Sequence, residues 1–230
     1  VATSGTVSDL YNADFGSALS SASNWSKTPA ADNANNPVGN TTLGNDVVDA
    51  VSGVLTFTSE AFNYQGTATG RAYAVWQEIN VANMDILDAQ ASGLSAAAQT
   101  NTSEGVLRFG ISSTPGHTTT NLLKANPSLN DQTTTGLSYG PNFLPAEPGS
   151  GTVDSSGQEL TYVEWRDGTT VTSSTTKSMT NIDVSMYNTV YVLITSYTPM
   201  TEVLASSTTV PTALTSTNTL DDVVVTYEGA

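Results

Sequence analysis

Six segments of this chain alternate apolar and polar residues with a period of two, each bounded by turn-forming residues. That is the pattern of strands with one face buried and the other turned to water, and it constrains the fold more than any other feature. The segments are Gly53-Val-Leu-Thr-Phe-Thr58, Ala72-Tyr-Ala-Val-Trp-Gln-Glu-Ile79, Gly105-Val-Leu-Arg-Phe-Gly-Ile111, Glu159-Leu-Thr-Tyr-Val-Glu-Trp165, Thr189-Val-Tyr-Val-Leu-Ile-Thr-Ser-Tyr197 and Leu220-Asp-Asp-Val-Val-Val-Thr-Tyr227. Arg166-Asp167-Gly168-Thr169 is a hairpin signal, with Thr169–Ser174 as the expected returning strand. Only Ile86–Ala98 reads as helical, and Gly93 weakens it, so at most one short helix is expected.

Composition agrees with strands. The chain holds 37 Thr and 27 Ser in 230 residues, and only 12% of it is charged. Branched Thr favours strands, and few Lys and Glu leave little material for the ion pairs of an exposed helix. Long polar stretches over Ala30–Asn45, Ser112–Gly140 and Pro141–Gly157 read as loops. No block between them carries enough strands to close its own core. The expectation is therefore all-β, a single domain over 1–230, built as a two-sheet antiparallel β-sandwich or jelly roll with long polar loops.

Twenty-one Asp and Glu against six Lys and Arg give a net charge of −15. Nucleic acid binding needs a basic footprint, which six scattered cations do not supply. Anionic membranes are disfavoured on the same ground, and no apolar run is long enough to span a bilayer. Divalent cations suit the acidic excess. Cysteine is absent, which excludes disulfides, zinc–thiolate sites and a thiol nucleophile. Val1-Ala2-Thr3 starts as a chain trimmed by a signal peptidase would, and with the composition it sets the expectation of a secreted, cell-surface protein.

The two ends carry a family resemblance. Tyr11-Asn-Ala-Asp-Phe15 precedes Asn24-Trp25, and Asn218-Thr-Leu-Asp-Asp-Val-Val-Val-Thr-Tyr227 lies at the other end. This resembles the concanavalin A/laminin-G-like jelly rolls of secreted bacterial proteins, especially the exosortase-sorted surface proteins, and similar ends occur in carbohydrate-binding module families. The Pro-Glu-Pro motif, apolar helix and basic tail of the sorted proteins are not in this sequence. The resemblance implies that first and last strands are neighbours, with a structural Ca²⁺ beside them whose ligands would be Asp14, Asp221 and Asp222. Adjacent strand residues point to opposite faces, so at most one of Asp221 and Asp222 can face such a site directly. Asp32-Asn-Ala-Asn-Asn36 fails the EF-hand pattern, because Pro37 stands where glycine is required.

No catalytic residues are assigned. His117 is the one histidine, in a loop, and no Gly-x-Ser-x-Gly elbow accompanies it. Glycosidases on concanavalin-like folds place two acids on one strand face. Glu78 with Asp85, and Glu164 with Asp167, lack that spacing, so a glycoside hydrolase is the remote alternative. For ligand binding, Trp76 and Trp165 read as core and Trp25 as packed under the opening motif. That leaves Tyr64, Tyr139 and Phe143 as loop-borne aromatics able to stack on a neutral glycan. Val1–Leu10 is a candidate donor or edge strand, apolar at Val1, Val7 and Leu10, for a homo-oligomer or polymer built by strand addition. The sequons at Asn24, Asn40 and Asn101 are of a kind that chance supplies in an Asn- and Thr-rich chain. The leading expectation is a non-enzymatic structural or adhesive subunit of a surface matrix or filament. A carbohydrate-binding, lectin-like module is the alternative.

Overall fold

The computed structural model describes residues 3–19, 24–27, 47–64, 67–96, 106–113, 122–125, 159–165, 172–198 and 214–229. Among them are twelve strands and no helix: β1 Thr3–Thr6, β2 Ser26–Lys27, β3 Val47–Val51, β4 Val54–Tyr64, β5 Thr67–Asn80, β6 Ile86–Ala96, β7 Val106–Ser112, β8 Leu122–Ala125, β9 Glu159–Trp165, β10 Thr175–Asp183, β11 Thr189–Thr198 and β12 Leu214–Gly229. All pairings are antiparallel.

The strands form two sheets packed face to face. In the first, β10, β6, β12 and β4 lie side by side, with β3 on β4 and β1 on β12. The second runs β5, β11, β7, β9, with β2 and β8 on β5. Strand β4 connects them: it pairs with β12 over Leu55–Leu220 to Ala61–Leu214, then turns into a hairpin with β5 over Phe62–Thr69 to Tyr64–Thr67. The first and last strands are neighbours, Thr3 opposite Gly229 and Thr6 opposite Thr226.

One hydrophobic core fills the space between the sheets. From the first sheet come Val48, Leu55, Phe57, Leu87, Ala89, Ala91, Met179, Ile182, Leu220, Val223 and Val225. The second contributes cross-strand ranks, Val75–Ile194–Phe109–Val163 and Tyr73–Ser196–Leu107–Trp165. Asn218 spans the layer, donating from Nδ2 to Ser196 Oγ (2.8 Å) while its Oδ1 accepts from Ser95 Oγ (3.0 Å). Those mutual bonds give a buried amide partners in both sheets.

One sequence expectation fails here. Ile86–Ala96 is a strand, because Leu87, Ala89 and Ala91 all turn inward and the run pairs with β10 on one side and β12 on the other. Its small residues, which suggested a helix, make room for bulk opposite: a Cβ on Gly93 would sit 2.7 Å from the Trp165 ring. Of the returning strand expected after Trp165, residues 169–171 lie outside the described residues and 172–174 are not strand; the next described strand, from Thr175, pairs with β6 in the other sheet.

The segment Val7–Leu19 is tied to the sandwich by side chains. Gln77, buried on β5, accepts from the Tyr11 amide (2.7 Å) and donates to the Tyr11 carbonyl (2.9 Å). Trp25 donates its indole N–H to the same carbonyl (2.9 Å) and packs on Phe15 with ring centroids 5.4 Å apart. Asp9 accepts from Asn80, and Asp49 accepts from Leu19 and lies 3.8 Å from Lys27. Trp25 is thus packed under the opening motif, as its sequence position predicts.

Candidate functional site: the outer face of the second sheet

An antiparallel sandwich buries one face of each sheet and gives the other to water. The first sheet obeys this rule. Its outward residues, Asp88, Gln90, Thr180, Asp183 and Val224 among them, are exposed. Two shallow hollows on that face, of about 370 and 330 Å³, adjoin at Asp88 and Thr226.

The second sheet departs from it. Register puts the outward side chains of β5, β11, β7 and β9 into three ranks: Trp76–Leu193–Gly110–Tyr162, Ala74–Thr195–Arg108–Glu164 and Glu78–Tyr191–Ser112. None of these side chains belongs to the core between the sheets. Yet Trp76 is 5% exposed, and Arg108, Leu193 and Ser112 are fully buried. Trp76 is buried as expected, but on the face opposite the inter-sheet cluster, since it alternates with the inward Val75 and Gln77.

Arg108 is the chemical centre of this face. Its Nη2 lies 2.5 Å from Glu164 Oε1, Nε reaches the same oxygen at 3.2 Å, and the guanidinium carbon sits 3.5 Å from the Tyr162 ring centroid. The cross-strand register produces this directly, because Arg108 faces Glu164 while Tyr162 is one rank away on the same strand. Gly110, between Leu193 and Tyr162, adds no side chain to its rank. At the far side Tyr191 donates its hydroxyl to Glu78 (2.9 Å). Burial, then that hydrogen bond and the charge of Glu78, push the Tyr191 phenol above its ordinary pKa.

Glu78 and Glu164, both on this face, stand on β5 and β9. Three strand spacings separate those strands, about 14 Å before any offset along them. Glycosidase pairs lie about 5–10 Å apart, so these two do not form one.

The acids named for calcium lie at the other end of the argument. Val223 donates to the Ala13 carbonyl, which brings the opening motif alongside a bulge in β12 where Asp222 adopts φ 53°. Asp221 is pushed above its ordinary pKa by burial first, with the charges of Asp222 and Asp14 adding to it, while the Asp222 amide lowers it. Among the described residues no three His, Cys, Asp or Glu side chains gather closely enough to hold a metal ion. Asp14, Asp221 and Asp222 are neighbours in charge.

Of the loop aromatics, Tyr64 ends β4 opposite Thr67, whereas Tyr139 and Phe143 lie outside the described residues, as do Val1 and His117. Residues Thr3–Thr6 pair with β12 of their own domain as an edge strand; Val7 is buried in the core and Leu10 packs against it. The residues of the second sheet's outer face were missed from sequence. The available signal was Arg108, at an outward position of a strand whose inward positions, Leu107, Phe109 and Ile111, are all large and apolar, with Glu164 directly opposite it.

No family model matches the chain, and no curated protein does. Among solved structures it is similar to a CBM4 carbohydrate-binding module, with a TM-score of 0.42, 11% identity, and coverage of 95% of this chain and 99% of that one. It is also similar to the module TmCBM61 in complex with beta-1,4-galactotriose, with a TM-score of 0.32, 8% identity, and coverage of 97% and 86%. Scores at this level carry no inference about what this chain binds.

Proposed function

We propose that the chain is a non-catalytic module, exported to the cell surface, that binds a neutral glycan on the outer face of its second sheet. The observation behind this reading is the asymmetry of the two outer faces. One is an ordinary wet sheet surface. The other carries Trp76, Tyr162 and a buried Arg108–Glu164 pair outside the core. A buried ion pair adds little net stability over an apolar substitute, so stability alone does not account for placing one there. Sugar recognition combines aromatic surface for the C–H faces of a pyranose with fixed polar groups for its hydroxyls, and this face has both. Among the described residues of these three ranks the cation is Arg108, which is matched by Glu164 and so favours a neutral ligand over a uronate.

Trp76 is 5% exposed in the free chain, so this face has to rearrange before a ligand reaches it. Association is then expected below the roughly 10⁵–10⁷ M⁻¹s⁻¹ of rigid docking. The test is titration calorimetry with soluble neutral oligo- and polysaccharides, run in parallel on Trp76→Phe and Tyr162→Ala. Trp25 and Trp165 belong to the core, so a ligand-induced change in tryptophan emission should vanish in Trp76→Phe. Affinity should fall at least tenfold in Tyr162→Ala while the circular dichroism stays unchanged. A folded protein that binds no neutral glycan, or binds equally well with Tyr162 replaced, would overturn the reading.

A further inference from the structure

The outward ranks of the second sheet differ in what a ligand can touch before anything rearranges. Trp76, Leu193, Arg108, Thr195 and Ser112 are all buried. Among the described residues of the three ranks Glu78 alone is exposed, and Tyr191 beside it is half-buried. The two stand opposite each other across the β5–β11 ladder. Glu78 is two residues beyond Trp76 on β5, and Tyr191 is two residues before Leu193 on β11, so all four share one face.

This pair offers acceptors and has no donor to spare. Tyr191 gives its one hydroxyl proton to Glu78 Oε2 (2.9 Å). Its oxygen keeps lone pairs that can accept, and an ionised carboxylate accepts without donating. Burial and Glu78 hold the Tyr191 phenol above its ordinary pKa, so that proton stays in place through the neutral range. The bond fixes the phenol and carboxylate oxygens side by side before a ligand arrives, which lowers the cost of ordering them on binding. A ligand has to meet them with two neighbouring donors. In a neutral sugar that group is a vicinal diol, each of whose hydroxyls donates one proton. An ether or ester at either position removes a donor and leaves one of the two acceptors facing a group that cannot bond to it.

We infer that Glu78 and Tyr191 decide which glycan this face accepts, selecting a sugar whose vicinal diol carries two free hydroxyls. Resting on the neutral-glycan reading above, this selection adds the chemical group that is read.

The experiment is titration calorimetry on the full chain, on Glu78→Gln and on Tyr191→Phe. The probes are linear hexasaccharides of glucose, galactose, mannose and xylose, each with a counterpart whose vicinal hydroxyls are methylated. The wild-type chain should bind at least one free hexasaccharide about tenfold or more tightly than its methylated counterpart. Glu78→Gln keeps the shape of the side chain, but its amide can donate to an ether oxygen. Its preference for the free sugar should therefore shrink toward unity. Tyr191→Phe keeps the ring and loses one acceptor, so it should bind the free sugar several-fold more weakly and the methylated one nearly as before. A wild-type chain that binds both forms alike would overturn the inference. So would variants that lose the same factor for both forms, since the pair would then only support the sheet; neutral-glycan binding would survive either result. Failure of every free hexasaccharide to bind the wild-type chain would also overturn it, and the underlying reading falls with it only if the polysaccharides fail too.

Discussion

Gly93 is the position where one added carbon should matter most. Its neighbour is the Trp165 ring, which is held by Thr175 and cannot swing aside; a Cβ would meet three ring carbons at 2.7, 2.7 and 2.9 Å. Overpacking of that kind costs about 1–3 kcal/mol. Gly93→Ala should therefore lower the melting temperature by several degrees, and Trp165→Leu in the same chain should recover part of the loss if the clash is the cause. Asp221 gives a second residue-level expectation. Its folded pKa is raised, chiefly by burial, so the folded state holds the proton more tightly than the unfolded one. Its contribution favours folding below the ordinary carboxylate range and is lost as pH rises through the folded value. Asp221→Asn should then be the more stable protein at pH 7, by less than about 1 kcal/mol as befits a largely solvated group. The difference should shrink toward zero near pH 3 in pH-resolved thermal melts. Asp183 works in the opposite direction, its carboxyl held down by the hydroxyl and amide of Ser185.

At the level of elements, the strands were readable because each buries one face: all six alternating segments are strands, and Glu159–Trp165 matches to the residue. Strand β6 was not readable, since Ala, Gly and Ser carry too little hydrophobic contrast to show a period of two; the reason for those small residues, Trp165, lies in the other sheet. The burial of Trp76 was readable, but the face on which it is buried was not, for a related reason. Alternation tells which residues share a face, but not which face meets the core, and a sheet buried on both sides defeats the rule that large means inward. Gln77 was silent for the converse reason, as an amide among apolar inward residues. Its role is to stand in for a strand partner of Tyr11. Gln77→Ala would leave the Tyr11 amide without its acceptor, a loss of about 1–3 kcal/mol. Amide exchange over Val7–Leu19 should accelerate at least tenfold in that variant while the strands of the second sheet stay protected. Uniform acceleration through both sheets would mean that Gln77 supports the whole core rather than the crossing segment.

Across the whole molecule, the two terminal strands make unequal contributions although they are neighbours. β1 pairs on one side only, over four residues, and none of its side chains is buried. β12 is paired on both sides, with β4 and β6, and delivers Leu220, Val223 and Val225 to the core with Asn218 to the bridge between sheets. Each buried aliphatic contributes about 1.5–3 kcal/mol, and without β12 the β6–β10 pair has no ladder to the rest of its sheet. That sum is comparable to the whole stability of an ordinary domain, about 5–15 kcal/mol. A chain shortened to residues 1–213 should therefore lack a cooperative unfolding transition and show no near-ultraviolet tyrosine and tryptophan dichroism. A chain beginning at Val7 should melt in a single transition, a few degrees below the full chain. Because β12 is central in space and last in sequence, the first sheet cannot close until the end of the chain is present, which places refolding at the slow end of the range for single domains. A cooperative transition in the 1–213 chain would show that the second sheet, with β3 and β4, folds without its partner, and would make the sandwich two folding units rather than one.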